Sequence, residues 1–80
     1  MKTLKIHFKT IDQVKEFVNK IQPVDADIDL IHDRYVIDAK SIMGIFSMDL
    51  SRPVDLVVHS DEEQITKAVE SSAEELDILV

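Results

Sequence analysis

Eighty residues make one small domain, able to bury about 60–65% of its unfolded surface, which leaves room for a modest core and not for a deep enzyme cleft. Nine Lys and Arg against 16 Asp and Glu give a formal charge of -7, which repels nucleic-acid phosphates and anionic membrane faces. Cysteine is absent, which removes disulfide frameworks and thiolate metal sites and fits a reducing compartment, and no apolar run approaches the roughly 20 residues of a membrane span.

Along the chain the apolar period switches repeatedly. In MKTLKIHF, Leu4, Ile6 and Phe8 alternate with Lys5 and His7, the pattern of a half-buried strand. TIDQVKEFVNKI places Ile11, Val14, Phe17, Val18 and Ile21 at helical spacing, with Thr10 and Gln13 in capping-box positions and Pro23 beyond the end, so a helix is expected over 11–21. Ile28 and Leu30 alternate with Asp27 and Asp29, Asp33 and Arg34 mark a turn, and Tyr35 and Ile37 resume the alternation up to Asp38; this is a hairpin. Ser41 to about Met48 reads as a short helix. Val54, Leu56 and Val58 alternate with Asp55 and His59 after Pro53 in a further strand. In SDEEQITKAVESSAEEL, Ser60 and Glu63 stand as a capping box and Ile65, Ala68, Val69 and Leu76 share a face, predicting a last helix.

The order βαββαβα, with no linker, repeat or low-complexity stretch, predicts one α+β domain over residues 1–80, its helices packed on one face of a largely antiparallel sheet. Met1 leads straight into Lys2, Lys5 and strand-like alternation instead of a signal peptide, so a soluble, cytoplasmic protein is expected.

The residues with chemical potential are mostly explained by simpler roles. His7, His32 and His59 fall on the first strand, a turn and the last strand, without short-range ligand spacing, so no metal site is expected. The carboxylates of DADID and DEE lead into a strand and a helix, where solvation and the helix dipole account for them. Gly44 is the only glycine, so no glycine-rich loop can surround a nucleotide phosphate, and no cofactor is expected.

The stretch DAKSIMGIFSMDL, residues 38–50, is different. Ser41 in helix N-cap position contributes about 1 kcal/mol by accepting a first-turn amide bond. Ile42, Met43, Ile45, Phe46, Met48 and Leu50 are more than a two-turn helix buries on one side, so some of them face solvent as a docking patch beside the serine. A phosphoryl group on Ser41 would place about two negative charges at the helix N-terminus and at the rim of that patch, switching binding rather than folding.

KSIMG at Lys40 to Gly44, followed by Ile45, Phe46 and Ser47, resembles the regulatory serine segment of HPr, the histidine-containing phosphocarrier family of the bacterial sugar phosphotransferase system. The likeness is strongest from Asp27 to Leu50 and extends over nearly the whole chain. It implies the open-faced β-sandwich of that family, a four-stranded antiparallel sheet with three helices on one face. It also implies that an ATP-dependent HPr kinase phosphorylates Ser41 and that Lys40, Ile42, Met43 and Phe46 dock a protein partner. Candidate partners are HPr kinase/phosphorylase, other phosphotransferase-system components or a transcription regulator.

The second functional position of the family departs from its pattern. The ungapped register puts Thr10, Ile11, Asp12 and Gln13 where the family has roughly His-Ala-Arg-Pro. Threonine caps a helix but offers no imidazole nitrogen for a phosphohistidine, and Asp12 replaces a phosphate-attracting arginine with a like charge. The expectation is a non-catalytic, HPr-like regulatory or interaction protein without carrier activity. Catabolite-repression homologues also lack the histidine and act as corepressors, yet the arginine that contacts their regulator is Asp12 here. Two alternatives stand beside this reading: a residual carrier using His7, and a binding domain in which Ser41 is a cap only.

Overall fold

KTLKI, residues Lys2–Ile6, forms strand β1 of a computed structural model that describes residues 1–80. Six elements follow: α1 (Ile11–Ile21), β2 (Asp27–His32), β3 (Tyr35–Asp38), α2 (Ile42–Phe46), β4 (Val54–His59) and α3 (Glu63–Glu75). The strands make one antiparallel sheet in the order β1-β4-β2-β3, with the last strand of the sequence paired on both sides. This is the predicted α+β architecture, a four-stranded antiparallel sheet with three helices.

Period-2 alternation sorts the side chains of the sheet into two faces. On one, Leu4, Leu56, Leu30 and Ile37 lie in a single row across all four strands, flanked by Ile6, Val54, Val58 and Ile28. The other face carries Lys5, Asp55, Ile31 and Val36 in one row and Thr3, Val57, Asp29 and Asp38 in the next. The apolar rows meet Val14, Phe17, Val18 and Ile21 of α1, Ile45 of α2, and Val69 and Ala73 of α3 in one core. Phe17 is fully buried and meets Phe8 edge to face, with ring centroids 5.8 Å apart. Burying such a ring contributes about 1.5–3 kcal/mol.

The α1 helix has the bounds its periodicity predicts, and its capping box is formed. Thr10 Oγ1 accepts from the Gln13 amide at 3.1 Å, and Gln13 Oε1 accepts from the amides of Thr10 at 3.3 Å and Lys9 at 2.7 Å. Ile11 does not join the core stripe and is 62% exposed. At 100° per residue it lies about 70° from the centre of the stripe formed by Val14, Phe17, Val18 and Ile21, on the first residue of the helix.

Three further expectations are corrected. The Ser60 and Glu63 box does not form: α3 begins at Glu63 with Glu62 as its cap, and Ser60 Oγ instead accepts from the Glu62 amide at 3.1 Å in a tight local turn. Such local bonds compete with the cap for the same hydroxyl. Ala68 is exposed and Ala73 takes its place in the core, because Ile65, Val69, Ala73 and Leu76 follow a narrower stripe than one including Ala68. The α2 helix is also shorter than the predicted span, ending at Phe46 with Ser47 as its cap.

Beyond α3 the chain turns at Asp77, which takes a positive φ of 56°, and runs back along β1. His7 donates its amide to the Ile78 carbonyl at 2.7 Å, Val80 donates to the Lys5 carbonyl at 3.0 Å, and Ile6 and Leu79 form an antiparallel bridge. Ile78 is fully buried. No helix is long and apolar enough to cross a membrane.

Candidate functional site

Ser41 caps α2 in the predicted manner. Its φ and ψ of -98° and 102° are extended, and its Oγ accepts from the Gly44 amide at 3.1 Å. Gly44 fits this turn because it has no Cβ: a methyl group there would lie 2.7 Å from Ile37 Cγ2 and 3.1 Å from Ser41 Oγ. The close approach of α2 to β3 therefore depends on that glycine.

Within α2 the apolar residues divide as their number requires. Ile45 is fully buried and anchors the helix, Ile42 is half-buried against the core, Met43 is 78% exposed and Phe46 is 40% exposed. Met48 and Leu50 follow the helix and pack partly on the core. The outward patch thus consists chiefly of Met43 and Phe46.

Lys40, expected among the partner-docking residues, is engaged within the fold. Its Nζ donates to the Val24 carbonyl at 2.5 Å, its amide donates to Asp38 Oδ1 at 2.9 Å, and its carbonyl accepts from Gln22 Nε2 at 2.8 Å. The first and last of these bonds clasp the segment after α1 to the residue preceding Ser41, and the bond to Asp38 is local.

Thr10 lies close to the Phe46 side of the patch. A shallow cleft of about 210 Å3 is lined by Phe8, Lys9, Thr10, Ile11, Phe46 and Leu50, so the start of α1 and the exposed side of α2 share one surface. Asp12 is exposed in the first turn of α1, where a carboxylate complements the helix dipole. Ser41 is not among the lining residues. Ile11 was expected in the core stripe and instead lines this surface; its position at the edge of the stripe, on the first helical residue, was the available signal.

The histidines are dispersed. His7 is half-buried beside the terminal segment, His32 Nε2 lies 3.6 Å from Asp33 Oδ2 at the hairpin turn, and His59 Nε2 lies 2.8 Å from Asp29 Oδ2 on the open sheet face. No cavity is lined by more than one of them. Just after α2, Asp49 Oδ1 accepts from Ser51 Oγ at 2.7 Å and from the Ser51 amide at 3.0 Å. Those two bonds hold its carboxyl below the usual carboxylate range, hydroxyl first and amide second.

Residues 11–77 match the family model described as the PTS HPr component phosphorylation site. Among solved structures, HPr-C-His from Thermoanaerobacter tengcongensis is similar, with 30% sequence identity and a TM-score of 0.75 over 95% of this chain and 94% of that one. A search of curated proteins finds no match.

Proposed function

The chain belongs to the HPr family of phosphotransferase-system phosphocarriers, and from that membership we propose that it is a regulatory, protein-binding member without carrier activity. Proteins of this family carry phosphoryl groups and interact with other phosphotransferase-system proteins; they are not themselves catalysts. The observation that carries the proposal is the residue at the α1 cap. Thr10 occupies it with its hydroxyl bonded to the Gln13 amide, and Asp12 adds negative charge two residues on, in the first turn of α1. A phosphocarrier needs a nitrogen nucleophile whose phosphoramidate is readily passed on, and neither side chain supplies one.

In this reading Ser41 is the regulated residue, as the target of an HPr-type serine kinase. Its oxygen attacks the γ-phosphorus of ATP, the new Oγ–P bond forms as the bond to the β-phosphate oxygen breaks, and the hydroxyl proton passes to a base of the kinase. The product holds about two negative charges at the N-terminal end of the helix that carries half-buried Ile42 and exposed Met43 and Phe46, so a partner resting on those side chains meets a different surface in each state. Lys40, bonded to the Val24 carbonyl, is the adjoining cation.

The test has two arms, each read by intact mass and site mapping. With ATP and an HPr kinase, one phosphate is expected on Ser41 and none on Ser41→Ala. With phosphoenolpyruvate and enzyme I, no histidine is expected to be labelled. Acid-labile phosphate on His7 would overturn the loss of carrier activity, whereas absence of label in both arms would reduce Ser41 to a helix cap.

A further inference from the structure

The two outer edges of the sheet are treated differently. The β1 edge is covered by residues 78–80, through the bonds from His7 to Ile78 and from Val80 to Lys5. The β3 edge carries no such cover, and it displays Tyr35 at 67% and Val36 at 60% exposure. Natural edge strands are blunted by shortness, charge, proline or a bulge; Tyr35–Asp38 is short and ends in a carboxylate, but it has no lysine, proline or bulge.

We propose that this edge pairs with the same edge of a second copy of the chain, joining two four-stranded sheets about a two-fold axis. The register follows from the ladder. Ala39 donates to the Ile28 carbonyl, so by antiparallel alternation Ile37 and Tyr35 also bond inward to β2, and the N–H and C=O of Val36 point outward. A two-fold axis perpendicular to the sheet keeps each side chain on its own face, so Val36 meets the partner's Val36 and exchanges both backbone hydrogen bonds with it.

That one register also matches the side chains. Tyr35 falls opposite the partner's Ile37 on the helix-bearing face, at a cleft of about 420 Å3 lined by His32, Tyr35, Ile37 and Met48 among others. Arg34 falls opposite the partner's Asp38, and the axis repeats the pair. Arg34 takes part in none of the ion pairs within the chain, so its charge is free for this contact. A four-residue strand makes a small, reversible interface. At physiological salt, screening over about 8 Å reduces the mutual repulsion of two chains of charge -7.

Sedimentation equilibrium of the full chain over a range up to about 1 mM tests this, since a dissociation constant of that order is the weak limit of specific pairing. The expected result is a concentration-dependent dimer that Val36→Lys abolishes, with an unchanged far-ultraviolet spectrum because Val36 is exposed. Arg34→Glu, which lies outside the ladder, should weaken the dimer about tenfold by replacing two attractive cross-strand pairs with repulsive ones. The chain has no cysteine, so Val36→Cys supplies the only thiol. Bonded antiparallel partners lie about 5.5 Å apart at Cα, within disulfide reach, so Val36→Cys should cross-link faster than the control Met43→Cys, although Met43 is the more exposed of the two. A monomer at every concentration would overturn the proposal and leave the edge to an extended segment of another protein. A dimer indifferent to both Val36→Lys and Arg34→Glu, or equal cross-linking of the two cysteine variants, would overturn it as well.

Discussion

At Gly44 a single hydrogen atom decides the geometry of the candidate regulatory segment. An added Cβ meets a branched methyl of Ile37 at 2.7 Å, closer than side chains pack, and Ile37 is itself held in the β2 ladder. Gly44→Ala should therefore destabilise the fold by about 1–3 kcal/mol despite alanine's better helix propensity, as a lowered urea midpoint would show. Should its midpoint rise instead, α2 does not sit against β3 as described. Asp49 makes a pH-dependent contribution of known sign. Its carboxyl is held below the ordinary value of 3.8 by the Ser51 hydroxyl and amide. The stabilisation is therefore complete above that value and is lost as pH falls through the lowered folded one. Asp49→Asn should be less stable than the parent at neutral pH, with the difference shrinking below about pH 4, as urea titrations at pH 7 and pH 3 would show. Ser41→Ala removes one cap bond, at a cost of about 1 kcal/mol on a chemical-denaturation curve.

Among the elements, the same four-residue signal gives different outcomes at two helices. Thr10 and Gln13 form their reciprocal box, and Gln13 Nε2 also reaches the Leu76 carbonyl at 3.0 Å, so tertiary contact reinforces the local cap. Ser60 turns back on the Glu62 amide, and the helix starts at Glu63 without a side-chain cap. Pattern identifies a cap position; which neighbouring amide takes the hydroxyl depends on the turn into the helix. The β2–β3 hairpin was equally legible, with Asp33 in its turn at φ 54°, a conformation aspartate tolerates better than most residues. The Lys40 clasp was not, because it ties residues 16 and 18 positions apart through backbone carbonyls that no periodicity marks. Lys40→Met keeps the stem and removes the donor to Val24. Faster amide exchange is expected in residues 22–26 with the β4 amides unchanged; uniform protection in both would mean that the clasp does not restrain this segment.

For the whole molecule, the element order and the apolar row through Leu4, Leu56, Leu30 and Ile37 were legible because alternation reports burial directly. The terminal ILV was not assigned a role, since three residues are too few to show a period. Ile78 nevertheless sits fully buried where the chain folds back on β1. Ile78→Ala should lower stability by about 2–5 kcal/mol, measured by urea unfolding, while an effect below about 1 kcal/mol would show the terminal segment to be loosely held. The sheet order has a further consequence for biosynthesis. Strand β4 is the last to be translated, yet both β1 and β2 bond to it, so the β2–β3 hairpin is the only ladder that can close before residue 54 leaves the ribosome. Until then Ile6, Ile28 and Leu30 have no β4 row to lie against, and the nascent chain is a hairpin with an amphipathic helix rather than a fraction of the domain. Assembly must therefore come late in translation, when a single strand joins β1 to the hairpin already waiting.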